Sequence, residues 1–195
     1  MKVVVAAVPG SGKSTIMNLV RKSMPNVKIV NVGDMIAEAA MKDLGIKDRD
    51  QLRKKLRIYE QRKYQEIAAK KIAKMKGDVV IDTHSAVKTP HGFFPGLSET
   101  PVHILNPDAI VVIEYDPREI IRRRNGDGSR RRDHEDAETI EEHQRASRYF
   151  AFGAAQHADA SVKLLNLRFR QKSRFEHAEI AAGEIVKLFK LQHKL

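Results

Sequence analysis

The chain opens on an apolar run from Lys2 to Val8, passes through Pro9-Gly10-Ser11-Gly12-Lys13-Ser14-Thr15, and continues with Ile16, Leu19 and Val20 at helical spacing. Three consecutive valines, Val3 to Val5, show no polar alternation, so this strand is expected to be buried on both faces, as in the interior of a parallel sheet. The glycine-rich turn that follows makes a strand–turn–helix unit. The same alternation runs to the end of the chain. Strands are expected over 27–32, 79–82, 109–114 and 162–167, and helical patterns over 13–23, 34–44, 48–76, 117–124, 137–157 and 173–191. Right-handed crossovers between parallel strands then predict a three-layer α/β/α sandwich around a five-stranded parallel sheet. A chain of 195 residues fits one domain, 1–195, with about 33–76 and about 122–136 as excursions from it. Residues 83–107 hold four prolines and two glycines and read as a long functional loop.

Composition removes several classes. Cysteine is absent, which excludes disulfides and thiolate metal sites. The eight histidines show no ligand spacing along the sequence. No apolar run approaches the roughly eighteen residues of a membrane helix, and the amino terminus has no leader pattern, so the expectation is a cytoplasmic protein without a membrane partner. The formal net charge of +11 calls for an anionic partner. Thirteen basic against five acidic residues over 42–76 read as a charged helix face, whereas seven arginines over 118–132 surround a flexible Asn125-Gly126-Asp127-Gly128-Ser129 tip.

The first turn has a specific chemistry. Gly10 and Gly12 allow successive backbone N–H groups to turn inward around an anion, and the helix amino end adds partial positive charge. Lys13 is placed to reach the β- and γ-phosphates of a nucleotide, and the Ser14 hydroxyl offers the oxygen that Mg²⁺ prefers. The usual pattern opens with a glycine separated by four residues from the Gly-Lys pair; here that residue is Ala7, which must therefore keep an ordinary backbone conformation. Asp82 ends the third strand and supplies a carboxylate for Mg²⁺ at the sheet's carboxyl edge.

Ala7-Val8-Pro9-Gly10-Ser11-Gly12-Lys13-Ser14-Thr15 resembles the ATP-binding loop of P-loop nucleoside monophosphate kinases, and Asn31-Val32-Gly33-Asp34 resembles their acceptor-side motif. Asp82-Thr83-His84, then Thr89-Pro90-His91-Gly92 and Pro95-Gly96-Leu97, with the arginine-rich segment and Ser147-Arg148-Tyr149, is similar to archaeal-type adenylate kinases. The resemblance covers nearly the whole chain. It implies reversible transfer of the γ-phosphoryl group of Mg·ATP to AMP, giving two ADP, with a short zinc-free lid and a homotrimer. Nucleic acid is not an expected partner of that family.

The resemblance also sharpens individual residues. Bacterial relatives carry arginine three residues after the Gly-Asp motif, where this chain has Ala37, and another in the loop after the third strand, where the nearest base is Lys88. The AMP phosphate is therefore expected to lean on Arg53, then Arg148, with Lys88 as a point charge. Asp34 reads both as a helix N-cap and, by resemblance, as an orienter of Mg²⁺-bound water. Arg123, Arg130 and Arg132 are expected to neutralise charge on the transferring group when the lid closes, while Arg124 and Arg131 read as solvated charges. His84 is open between a phosphate or water contact and a structural hydrogen bond. Two other functions stay open at this point: a kinase for a different nucleoside monophosphate or small acceptor, and a nucleotide-switched NTPase that holds RNA on its basic surface.

Overall fold

A computed structural model describes residues 1–46, 58–126 and 135–192. Five strands, β1 (Lys2–Ala6), β2 (Lys28–Asn31), β3 (Val79–Thr83), β6 (Ala109–Tyr115) and β7 (Ser161–Leu167), form one parallel sheet in the order β2-β3-β1-β6-β7. The connecting helices are α1 (Lys13–Ser23), α2 (Val32–Leu44), α3 (Ile58–Ala73), α4 (Glu99–Leu105), α5 (Pro117–Asn125), α6 (Ala137–Gln156) and α7 (Glu176–Gln192).

The unbroken valine and isoleucine runs are explained by two cores, one on each side of the sheet. Val3, Val5, Val80, Val111 and Ile113 pack on one side with Ile16 and Val20 of α1 and Ile185 and Phe189 of α7. Val4, Val79, Ile81, Ile110 and Val112 pack on the other with Ala69 and Ile72 of α3, Val102 of α4 and Ala151 of α6. Successive side chains of a strand point to opposite faces, so burial of both faces demands apolar residues at every position. This is the three-layer sandwich expected of the sequence.

The topology also fixes where chemistry can sit. β1 is central, with Val5 opposite Asp82 and Ala6 opposite Thr83 on β3, and Ala6 opposite Val112 on β6. The turn after β1 therefore leaves the sheet beside Asp82, at the carboxyl edge where sheets of this kind bind ligands.

Two expectations are corrected. Residues 83–107 are not a continuous loop: Ala86–Thr89 (β4) pairs antiparallel with Gly92–Pro95 (β5), and α4 follows. Pro90 and His91 form the hairpin's turn, where proline's missing donor harms no ladder. Asp34 is not the cap of α2 either. The helix begins two residues earlier, and the side-chain Oδ1 of Asn31, the N-cap, accepts from the Asp34 N–H at 2.9 Å. Of the long helix expected over 48–76, the described portion is α3; Arg53 lies outside the described residues. Among the described residues, no helix is long and apolar enough to cross a membrane.

Candidate functional site

The loop between β1 and α1 takes its shape from two residues with positive φ, Gly10 at 82° and Gly12 at 92°. Among the described residues, only Asn106 and Asp159 have positive φ without being glycine, so Ala7 holds the ordinary conformation its side chain demands. α1 begins at Lys13 with no side-chain cap and no acidic residue in its first turn. No side chain thus competes with an external anion for the amino-terminal N–H groups of α1, although the Thr15 N–H is bonded to Gly12 O at 3.1 Å.

Lys13 is buried at the floor of this cradle. Its Nζ donates to Thr83 O at 2.6 Å and Ala7 O at 3.3 Å, and lies 3.2 Å from Asp82 Oδ1. Burial pushes the Lys13 ammonium pKa down, and the Asp82 charge works in the opposite direction. The Asp82 contact is an ion pair by distance, without the alignment of a hydrogen bond. Asp82 Oδ2 accepts from Asn31 Nδ2 at 2.8 Å, whereas Oδ1 is buried without a hydrogen-bond partner. Asn31 therefore both caps α2 and orients Asp82. A buried carboxylate oxygen that is ion-paired with Lys13 but makes no hydrogen bond, with the exposed Ser14 on the first turn of α1, is an oxygen donor set that fits a hard cation such as Mg²⁺.

His84 resolves toward a structural contact. Its Nδ1 lies 2.5 Å from Ala7 O, which can only accept, so Nδ1 carries the hydrogen. The 3.1 Å approach of Lys13 Nζ to the same nitrogen is then no second hydrogen bond.

Two arginines of α5 grip the loop's outer carbonyls. Arg123 Nη1 donates to Ser11 O at 2.5 Å, Nε to Glu119 at 2.9 Å, and Nη2 to His177 Nδ1 at 2.9 Å, with the guanidinium 4.5 Å above the Tyr115 ring. His177 Nε2 in turn donates to Phe169 O at 2.9 Å. Burial, with Arg123 alongside, pushes the imidazole's pKa down, which keeps Nδ1 neutral and able to accept.

Arg124 is a correction. It is no solvated charge: its Nε and Nη2 donate to Pro9 O at 3.0 and 2.8 Å, and Nη1 to Glu135 at 2.6 Å. Its side chain passes so close to Gly10 that a Cβ there would stand 2.6 Å from Arg124 Cγ. Glu135 also accepts from Lys88 Nζ at 3.1 Å, tying the β4–β5 hairpin to the loop through one carboxylate. Burial opposes ionisation of Glu135, but the bonds from Arg124 and Lys88 outweigh it and hold its pKa below the ordinary value.

Arg148 is placed on α6 with its guanidinium held bidentately by the buried Glu114, at 2.7 and 2.5 Å. Arg168 shares Glu114 at 3.4 Å and pairs with Glu141 at 2.7 Å. Asp34 lies in the first turn of α2. Arg130 and Arg132, like Arg53, lie outside the described residues. Sequence reasoning missed Arg124, Glu135 and His177. For Arg124 a signal existed: it stands four residues after the buried Ile120, on the same face of α5.

Residues 6–141 match the AAA domain family. The chain is 51% identical over 189 residues to the adenylate kinase of Pyrobaculum aerophilum, covering 96% of each. It is 40% identical over 195 residues to that of Pyrococcus horikoshii, covering 98% of this chain and 96% of the relative. Among solved structures, it resembles the shikimate kinase of Bacteroides thetaiotaomicron with a TM-score of 0.61 at 16% identity, covering 97% of this chain and 98% of the other, a likeness of fold.

Proposed function

The chain belongs to the adenylate kinase family, and on that premise we propose how its residues divide the work of moving a phosphoryl group between ATP and AMP. The observation that carries this reading is the buried Lys13–Asp82 ion pair on the floor of a backbone cradle, in which Asp82 Oδ1 makes no hydrogen bond.

ATP enters with its phosphates in the loop of residues 7–15: Ala7, Val8, Pro9, Gly10, Ser11, Gly12, Lys13, Ser14 and Thr15. Gly12, Lys13 and their neighbours offer backbone N–H groups. The Lys13 ammonium exchanges its carbonyl partners for β- and γ-phosphate oxygens, a substitution that favours the charged form against burial. Ser14 and Asp82 would hold Mg²⁺, partly through water; when bound, that ion neutralises charge on the β- and γ-oxygens. AMP lies on the side of α2 and the hairpin, with Asp34, Arg53, Lys88 and Arg148 as its binding set. The remaining step is in-line transfer, in which positioned cations matter more than a general base.

Arg123, Arg130 and Arg132 supply charge to the transferring group, and Arg124 joins them on geometry. The guanidinium groups of Arg123 and Arg124 already reach Ser11 O and Pro9 O, at the rim of the cradle. Residues 122–136 act as a short lid and 33–76 as the acceptor side of the single domain 1–195. The trimer and the cytoplasmic setting belong to the same reading. Tyr149 and Phe152, three residues apart on α6 and both exposed, offer an apolar face for a second copy, and light scattering of the purified protein checks the mass.

Alanine variants separate the roles. Cationic fingers contribute about 10³ to 10⁵ in rate, and sharing among several arginines lowers the share of each. Alanine at Arg123, Arg124, Arg130 or Arg132 is expected to lower kcat by about 10¹ to 10³ with a smaller change in KM. Alanine at Arg53 or Lys88 is expected to raise KM for AMP more than for ATP. Unchanged kcat in all four arginine variants removes the lid from the mechanism.

The acceptor is tested by ADP formation from Mg·ATP across AMP, GMP, CMP and UMP. AMP is expected to show the highest kcat/KM. A higher value for another acceptor would transfer the assignment to that nucleotide.

A further inference from the structure

The fold assembles a histidine pair that the linear spacing conceals. Glu99 and His103 stand four residues apart on α4, and His157 caps the carboxyl end of α6. Glu99 Oε1 lies 4.0 Å from His103 Nε2 and 3.9 Å from His157 Nδ1, and one ligand atom from each of the three falls within 4.8 Å of the others. The two imidazoles meet edge to face, with centroids 5.8 Å apart. These separations are too long for hydrogen bonds within the cluster.

They are instead close to the spacing that a single cation imposes. Zinc–nitrogen and zinc–oxygen bonds are about 2.0–2.2 Å, which puts neighbouring donors of a tetrahedron about 3.4 Å apart. Side chains exposed as these are can close the difference by small rotations. Two imidazoles with one carboxylate favour a borderline transition metal over Mg²⁺ or Ca²⁺, which prefer all-oxygen shells.

We propose that Glu99, His103 and His157 form a surface site for Zn²⁺ or a similar divalent transition metal, with water completing the shell. The metal staples α4 to the end of α6. Both helices cover the same face of the sheet, through Val102 and Leu105 of α4 and Ala151, Ala154 and Ala155 of α6. The site is separate from the nucleotide cradle, and its purpose is to hold those helices together.

The test uses the full chain stripped with EDTA and titrated with ZnCl₂ by calorimetry, without nucleotide. Co²⁺ serves as a second probe, read by its visible absorption. The wild type is expected to bind one equivalent of Zn²⁺ with micromolar affinity and to show the intense visible bands of tetrahedral cobalt. His103→Ala and His157→Ala are each expected to weaken binding by about tenfold or more, and the double variant to lose it. At a zinc concentration of about a hundred times Kd, the wild type should melt several degrees higher and the double variant should not move. ADP formation should be the same in all three variants when no zinc is added, because none of these side chains belongs to the cradle. Zinc binding of equal stoichiometry and affinity in the wild type and the double variant would overturn the proposal, as would no binding by the wild type below millimolar zinc.

Discussion

Lys13→Ala is expected to lower kcat for ADP formation by a factor on the order of 10³, because it removes a preorganised charge from the transferring phosphoryl group. The side chain is buried, with donors committed to Thr83 O and Ala7 O and with Asp82 beside it, so its position is set before any nucleotide arrives. Lys13→Met keeps the aliphatic stem without the charge. It should lose as much activity as alanine while retaining the far-ultraviolet circular dichroism of the wild type. Asp82→Asn adds a second arm. It can keep the bond from Asn31 but removes the charge beside Lys13, so its activity should also fall and should recover in part with excess Mg²⁺ if the carboxylate serves the ion. Wild-type turnover in Lys13→Met would remove the loop from the chemistry.

Gly96→Ala is expected to damage both stability and activity, although no part of Gly96 belongs to the cradle. A Cβ at this position would stand 1.8 Å from His84 O and 2.9 Å from His84 C, both backbone atoms that cannot rotate away. Gly96 N also donates to Ser85 O at 2.8 Å, so the hairpin is held against the segment that follows β3. Relief of the overlap must displace His84 and Ser85, and with them Thr83 O, the closest partner of Lys13. Overpacking destabilises by about 1–3 kcal/mol, and an overlap with fixed backbone belongs at the upper end, measurable as a lower midpoint in urea, with kcat falling alongside it. Gly153→Ala on α6 is the control. Nothing lies within 4 Å of its added Cβ, so that change should be neutral or stabilise by about 0.5 kcal/mol. Equal midpoints for the two variants would contradict the close approach at Gly96.

These two residues also illustrate what was legible in the sequence. The sheet was readable because double-sided burial leaves an unmistakable trace: every position of Val3 to Val5 and of Ile110 to Ile113 is apolar, and both cores draw on them. Lys13 was readable because a cradle made of backbone imposes glycine and lysine at fixed offsets. The hairpin over 86–95 was not. Its strands are four residues each, partly exposed, and carry Lys88, Pro95 and Gly92, so neither alternation nor length marks them. Gly96 was one of two glycines there, and only the three-dimensional approach to His84 distinguishes it.

The arginines are the clearest lesson. Arg122, Arg123 and Arg124 are consecutive, and composition treats them alike. A helix turns each by about 100° from the last, which leaves their side chains 71%, 21% and 9% exposed. Arg122 faces solvent beside Glu119, Arg123 turns toward His177, and Arg124 lies over Gly10. The buried Ile120 sets the phase, and counting from it identifies Arg124. Glu135 and His177 had no such marker, since a carboxylate or imidazole that serves an arginine is chosen by tertiary contact alone.

The central claim is that this chain passes a phosphoryl group to AMP instead of to water. It is tested most directly by supplying ATP radiolabelled at the γ-phosphate and following the label with and without AMP. Label is expected to move one for one into the β-position of ADP made from AMP, with little inorganic phosphate appearing without AMP and with the transfer lost in Lys13→Ala. Release of label as inorganic phosphate at the same rate with or without AMP would contradict it.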